Sequence, residues 1–173
     1  MTDAYPAADP RNGFGSWLRT LCTAAWVLVG GCCVAIGLYL GGRNANAYEP
    51  EWNVSVFSSV VIVGGIVMIA QARQRPRTGR AGRIAGAIVT VVGLLAGSMA
   101  PMQKTCCDAF WSVSLGLPLP WATGGGDTWS QALGDAWHGT WDPLSAVANA
   151  IFWASAGMIV AVVIGLYQRG KRT

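Results

Sequence analysis

Charged side chains are scarce in this chain of 173 residues. Only 12% of the residues are charged and 53% are hydrophobic, whereas a water-soluble domain carries roughly 25% charged residues. A soluble domain of this composition would lack about half of its usual solvating surface. The net charge of +4 does not indicate a nucleic-acid partner, because no folded soluble domain remains to present a basic surface. We expect no nucleic acid among its partners.

The uncharged sequence falls into long apolar stretches. Runs of about 20 apolar residues cross a bilayer as helices, because lipid offers the backbone no hydrogen-bond partner outside the helix itself. The sequence therefore predicts an all-α integral membrane protein, with one transmembrane domain in residues 17–173. Residues 1–16 are polar and rich in Ala, Pro and Gly, and we expect a disordered tail. The four predicted spans of the bundle cover about residues 18–40, 53–72, 84–102 and 143–168.

Basic residues are concentrated on one side of this arrangement. Five arginines lie between the second and third spans, and if both termini lie on that side, it holds ten of the 12 basic residues. The positive-inside rule then places both termini in the cytoplasm and the 104–142 loop outside. Arg greatly outnumbers Lys, and Ala and Gly are abundant. This composition indicates a high-GC bacterial genome, and so a bacterial cytoplasmic (inner) membrane protein.

Charge is absent from the interior of the four spans, where no Asp, Glu, Lys, Arg or His is found. Ion-coupled transporters and pumps nearly always carry such a residue at mid-membrane, where it binds or relays the coupling ion. The one strongly polar side chain well within a span is Asn149, near the outer end of the fourth. A small transporter or channel is therefore only the second alternative function.

Small residues recur at helical spacing in the third and fourth spans. Steps of three and four residues place each series on one helix face, and small side chains let helix backbones approach closely where lipid removes the hydrophobic drive. We expect these faces to pack inside the bundle. The predicted packing residues are Gly82, Gly86, Thr90, Gly93, Gly97, Ala150, Ala154, Gly157 and Ala161.

The long loop opens with two adjacent cysteines, Cys106 and Cys107, followed by Asp108. Vicinal thiols outside the membrane could form a redox pair or bind a soft metal, with Asp108 and His138 as helpers. Dithiol oxidoreductases usually use Cys-x-x-Cys, because adjacent cysteines close only a strained disulfide. Three interpretations stay open: structural cysteines at a helix end or bonded to a partner chain, a redox pair, or a metal site.

Tryptophan is concentrated in the same loop. Trp137 follows Trp129 by eight positions and Trp141 follows Trp137 by four, so all three lie on one helix face. Thr128 with Gln131 forms a capping box. Because indole prefers the headgroup region, the pattern predicts a short amphipathic helix lying flat on the outer leaflet. Asp142 and Pro143 are typical of a helix start and predict the beginning of the fourth span.

Between the cysteines and this helix lies an apolar segment, residues 115–121. Pro118 and Pro120 favour an extended, polyproline-like backbone, and the apolar side chains cannot all face water. They must dock on the bundle, on lipid or on another protein. The three glycines at 124–126 have no strand-to-helix context, and we expect a hinge there.

These features favour a non-enzymatic membrane protein, an accessory or assembly subunit that docks through its spans and its Trp- and Pro-rich loop. Its expected partners are the lipid bilayer and a membrane protein or a second copy of the chain, and no cofactor is expected. The alternative is an extracytoplasmic thiol-redox or metal-handling protein that uses Cys106 and Cys107. The predicted partner-binding residues are Pro118, Pro120, Trp121, Trp129, Trp137 and Trp141.

Overall fold

The structure, a computed structural model, describes residues 11–74, 78–105 and 110–171. The described chain is mostly helical, and a small sheet and one short helix lie between its third and fourth long helices. The elements are, in order, α1 Arg11–Ala45, α2 Trp52–Gln74, α3 Arg80–Met99, β1 Pro101–Thr105, β2 Trp111–Leu115, β3 Ala122–Gly126, α4 Trp129–His138 and α5 Pro143–Gly170.

Four of the helices are long and apolar enough to cross a membrane. The most apolar 18-residue stretch of each has a mean hydropathy of 2.1 in α1, α2 and α5 and of 1.6 in α3. At 1.5 Å per residue, even the 20 residues of α3 extend about 30 Å, the thickness of the hydrocarbon core. The chain is therefore a multi-pass membrane protein.

Several helix ends differ from the predicted span ends; α1, for example, continues to Ala45, beyond the predicted end at residue 40. Helix α1 begins at Arg11 and so includes six residues that the sequence assigned to the tail; residues 1–10 lie outside the described part. Helix α3 ends at Met99, three residues before the predicted end, because Ala100 has an extended backbone (φ −68°, ψ 115°). The ring of Pro101 clashes with a helical conformation of the residue before it, and Pro101 instead starts β1.

The long helices pack as two close pairs joined in the middle. Helix α1 lies against α2, and α3 lies against α5, while α2 and α5 connect the two pairs. At this junction the rings of Phe57 and Phe152 stack with their centroids 6.0 Å apart. Both rings belong to a buried cluster with Cys33 and Val61, so the central contact is made by large side chains.

The segment between α3 and α5, residues 101–142, is called the extramembrane region below. It contains an antiparallel sheet in the order β1-β2-β3. The sequence pattern predicts no strand here. The glycines at 124–126, predicted as a hinge, form most of β3 and pair with β2. Their missing side chains have a structural reason, since a Cβ on Gly124 would lie 2.5 Å from the carbonyl oxygen of Ala132 in α4.

Helix α4 packs on this sheet. It begins at Trp129, and the Thr128 hydroxyl accepts a hydrogen bond from the Gln131 amide. Its sheet-facing residues, Ala132 and Ala136, are fully buried, and Ala136 packs with Leu115 and Ala122. The helix and the sheet thus form one small unit with its own core.

Candidate functional site

Of the residues that were candidates for metal or thiol chemistry, the structure describes only His138. Cys106, Cys107 and Asp108 lie outside the described residues. His138 lies at the carboxyl end of α4 with an exposed side chain. Among the residues that the structure describes, no group of three His, Cys, Asp or Glu side chains is placed to hold a metal ion.

The most elaborate polar contacts of the molecule lie where residues 116–121 meet the ends of the long helices. The segment turns at Gly116, whose φ of 113° lies in the left-handed region that favours glycine. The Gly116 and Leu117 amides donate to the carbonyl oxygens of Ala100 and Gly97 over 3.1 and 2.8 Å. The loop therefore continues the hydrogen bonding of α3 beyond the end of that helix.

Asn149, in the second turn of α5, pairs with the backbone of Leu119. Its Nδ2 donates to the Leu119 carbonyl oxygen over 2.7 Å, and its Oδ1 accepts from the Leu119 amide over 3.0 Å. The side-chain amide thus replaces the strand partner that this loop residue lacks. The Asn149 side chain is only 2% exposed and Leu119 is partly buried, and leaving a backbone group unpaired in such a place is costly.

Two further side chains hold the same loop. Asn53, at the start of α2, donates to the Pro118 carbonyl oxygen over 3.1 Å, and the Trp153 indole of α5 donates to the Leu117 carbonyl oxygen over 3.1 Å. Three helices therefore fix one short loop. In the described chain, no buried side-chain nitrogen or oxygen lacks a hydrogen-bond partner.

This docking corrects part of the predicted partner surface. Pro118 is buried against the chain's own helices, and Pro120 is half-buried. Trp121 is half-buried as well, and its indole N–H donates to the Ser98 carbonyl oxygen over 3.0 Å. Of the three docking places that the sequence allowed for this segment, the structure shows the helices of the same chain. Pro118 is thus not available to a partner.

The remaining tryptophans of the predicted surface belong to two separate aromatic groups in the extramembrane region. Trp121 meets Trp137 and Trp141 edge to face, with ring centroids 6.0 and 5.1 Å apart. Trp129 meets Trp111 in the same geometry at 6.1 Å. Trp137 and Trp141 are 40% and 63% exposed, so they are the members of the set that present most indole surface.

The predicted packing row of α3 faces α5. Gly82, Gly86, Gly93 and Gly97 are all buried, and a Cβ on Gly86 would lie 2.5 Å from the carbonyl oxygen of Gly157. The Thr90 hydroxyl donates to the Gly86 carbonyl oxygen over 3.0 Å. The row lets the backbones of α3 and α5 meet in the amino-terminal half of α3.

On α5 the predicted row is wrong at one position. Gly157 and Ala161 are buried against α3 and Ala150 is half-buried, but Ala154 is exposed. The side chain that meets the carboxyl-terminal half of the α3 row is Trp153, whose ring lies over Gly93 and Gly97. Helical spacing alone allowed either Trp153 or Ala154 to face α3. The larger side chain, Trp153, fills the groove that Gly93 and Gly97 leave.

Sequence reasoning missed Asn53 and Trp153, and it named Asn149 without a partner. The signal available was that an amide or an indole N–H within an apolar span needs a hydrogen-bond partner. The partners are backbone carbonyls between 30 and 65 residues away in the chain, and spacing gives no access to such pairs.

Chemically, the arrangement is a set of neutral hydrogen bonds that fixes a loop, together with two groups of indoles. Comparison with protein-family models, with curated proteins and with solved structures finds no match for this chain.

Proposed function

We propose that the chain is a non-enzymatic accessory or assembly subunit of a larger complex in a bacterial cytoplasmic membrane. Both termini lie in the cytoplasm and the extramembrane region lies outside, as the positive-inside rule requires. The observation that carries the proposal is the fixation of residues 116–121 by Asn53, Asn149 and Trp153. A region fastened in this way presents a surface of constant shape, which suits docking.

The surface proposed for docking is the exposed side of α4 with Trp137. Indole combines a large apolar area with one hydrogen-bond donor, and tryptophan is enriched among residues that contribute most to protein interfaces. The long helices offer a second surface. Only 17% of the most apolar segment of α1 is buried, against 39% for α2, so α1 has a wide apolar face for lipid or for a partner's span.

The experiment is purification of the tagged chain from its native membrane in a mild detergent, with identification of the proteins that accompany it. Trp137→Ala should release the partner, because truncation of a central interface tryptophan often costs about 2 kcal/mol or more. The matched control is Trp52→Ala, which removes an indole that is 66% exposed but lies outside the extramembrane region. Equal recovery of the partner with both variants would contradict the proposed surface.

The thiol alternative is separated by the same assay. Cys106→Ser with Cys107→Ser should leave the partner bound if the chain is an accessory subunit. A stoichiometric metal, or thiols that cycle with reductant while Trp137→Ala has no effect on assembly, would favour the thiol or metal function instead.

A further inference from the structure

A cleft of about 260 Å³ lies between the end of residues 116–121 and the start of α5. Its walls are formed where the chain crosses itself: the Asp142 amide donates to the Trp121 carbonyl oxygen over 2.7 Å, and Ala122 pairs with Trp141 in a β-bridge. The backbone of the cleft is therefore held on both sides. The described residues that line it are Pro120, Trp121, Ala122, Thr123, Thr140, Trp141 and Asp142.

Two indoles make the cleft aromatic. Trp121 and Trp141 stand at 80° to each other with their ring centroids 5.1 Å apart. Trp121 is kept in place by its bond to the Ser98 carbonyl oxygen and by Trp137 on another side. The face of an indole attracts cations, and tryptophan does so more strongly than tyrosine or phenylalanine. A pair of indoles at nearly a right angle can contact one cation from two directions.

A single acidic residue supplies the charge. Asp142 lines the cleft, and the described lining residues include no Lys, Arg or His. Hydrogen bonds from the Ser145 hydroxyl, and then from the Ser145 and Leu144 amides, hold the pKa of Asp142 below its ordinary value. Asp142 is thus an anion at neutral pH.

From the two indoles, the carboxylate and the size of the cleft, we propose that it binds a quaternary ammonium group. Each carboxylate oxygen of Asp142 already accepts one bond, from the Leu144 amide or the Ser145 hydroxyl, so fewer acceptor positions are left for the three N–H donors of a primary ammonium. A quaternary ammonium needs no acceptor, and its methyl groups suit indole faces. The group can come from a phosphocholine headgroup, since the cleft adjoins the first residue of a spanning helix, or from a free cation such as choline.

The test is a titration of the full-length protein with tetramethylammonium chloride in phosphatidylglycerol nanodiscs, at constant ionic strength, followed by the shift of the methyl proton signal. Saturable binding is expected. Trp141→Leu should weaken it roughly tenfold, and Asp142→Asn, which keeps a good N-cap, should weaken it roughly fivefold. Trp52→Leu is the control and should leave the affinity unchanged.

A second pair of titrations separates the two sources at equal surface charge, in nanodiscs of phosphatidylglycerol mixed with the same share of either phosphatidylcholine or phosphatidylethanolamine. Weaker apparent binding in the phosphatidylcholine mixture assigns the cleft to the lipid headgroup, and equal binding in the two mixtures assigns it to free cations. No saturable binding in phosphatidylglycerol, or equal affinity in the wild type, Trp141→Leu and Asp142→Asn with all three folded by thermal melting, would overturn the proposal.

Discussion

The α1–α2 and α3–α5 pairs use glycine in different ways. In the first pair two glycines face each other: a Cβ on Gly30 would lie 2.8 Å from the carbonyl oxygen of Gly65, and one on Gly65 would lie 2.5 Å from that of Gly30. In the second pair, Gly86 meets the backbone of Gly157 in the same way, but Gly97 meets the ring of Trp153. The same small-residue spacing thus permits a backbone contact in one place and accommodates an indole in another.

This use of an indole in place of a backbone contact has a consequence for the loop. The Trp153 indole also reaches the extramembrane region, where its N–H donates to the Leu117 carbonyl oxygen. The two pairs also use asparagine differently. Asn44 bonds both backbone groups of Glu51, seven residues away, and so closes the α1–α2 turn, whereas Asn149 bonds both backbone groups of Leu119, 30 residues away. The α3–α5 interface is therefore coupled to the loop through Trp153, whose ring lies on the glycine row itself, whereas the α1–α2 pair bonds the loop through Asn53 at the start of α2, 12 residues from Gly65.

The largest expected effect is shared by the two pairs. Gly86→Leu and Gly65→Leu each force a side chain into a carbonyl oxygen of the facing helix, and we expect each to lower the free energy of unfolding by about 3 kcal/mol. Thermal melting in detergent measures this. Val91→Leu, at a position that is 54% exposed on α3, should change stability little. Equal tolerance of all three would show that neither glycine row is an interface.

A smaller effect should separate the two asparagines. Asn149→Leu leaves the amide and carbonyl of the partly buried Leu119 unpaired, and we expect a loss of about 2 kcal/mol. Asn44→Leu should cost less, about 1 kcal/mol, because its partner Glu51 lies in an exposed turn that water reaches. Chemical denaturation of the two variants tests the order. A larger loss for Asn44→Leu would contradict the assigned role of Asn149.

The smallest effect concerns the indole N–H alone. Trp153→Phe keeps a ring near Gly93 and Gly97 but removes the hydrogen bond to Leu117, so a loss of about 1 kcal/mol is expected. Trp26→Phe is the control and should be neutral, because Trp26 lies on α1 and is itself 47% exposed. If Trp153→Phe is also neutral in the melting assay, the bond to Leu117 contributes no stability.

The sequence was sufficient for the long helices because each is specified locally, by an uninterrupted apolar run of spanning length. It was insufficient for the sheet. The run of three glycines in β3 has a low strand propensity, and it forms a strand because β2 pairs with it and α4 lies over Gly124. Such a strand depends on contacts that no local pattern records.

The candidate site was predictable to a similar extent. Residues 115–121 were expected to dock somewhere because their side chains are apolar, but the choice among the bundle, lipid and a partner depended on Asn53, Asn149 and Trp153. The misplaced Ala154 has a related cause. A helical face is about 100° wide, so adjacent positions such as Trp153 and Ala154 compete for its edge, and the facing helix decides between them.

The most direct test of the coupling is amide hydrogen exchange of residues 113–126 in two glycine variants, measured in detergent under conditions where both remain folded. Gly93→Leu displaces the Trp153 ring, and we expect faster exchange at the amides of Leu117 and Leu119. Gly30→Leu disturbs the α1–α2 pair and should leave the exchange of these amides as in the wild type. Equal acceleration in both variants, or none in Gly93→Leu, would contradict the account.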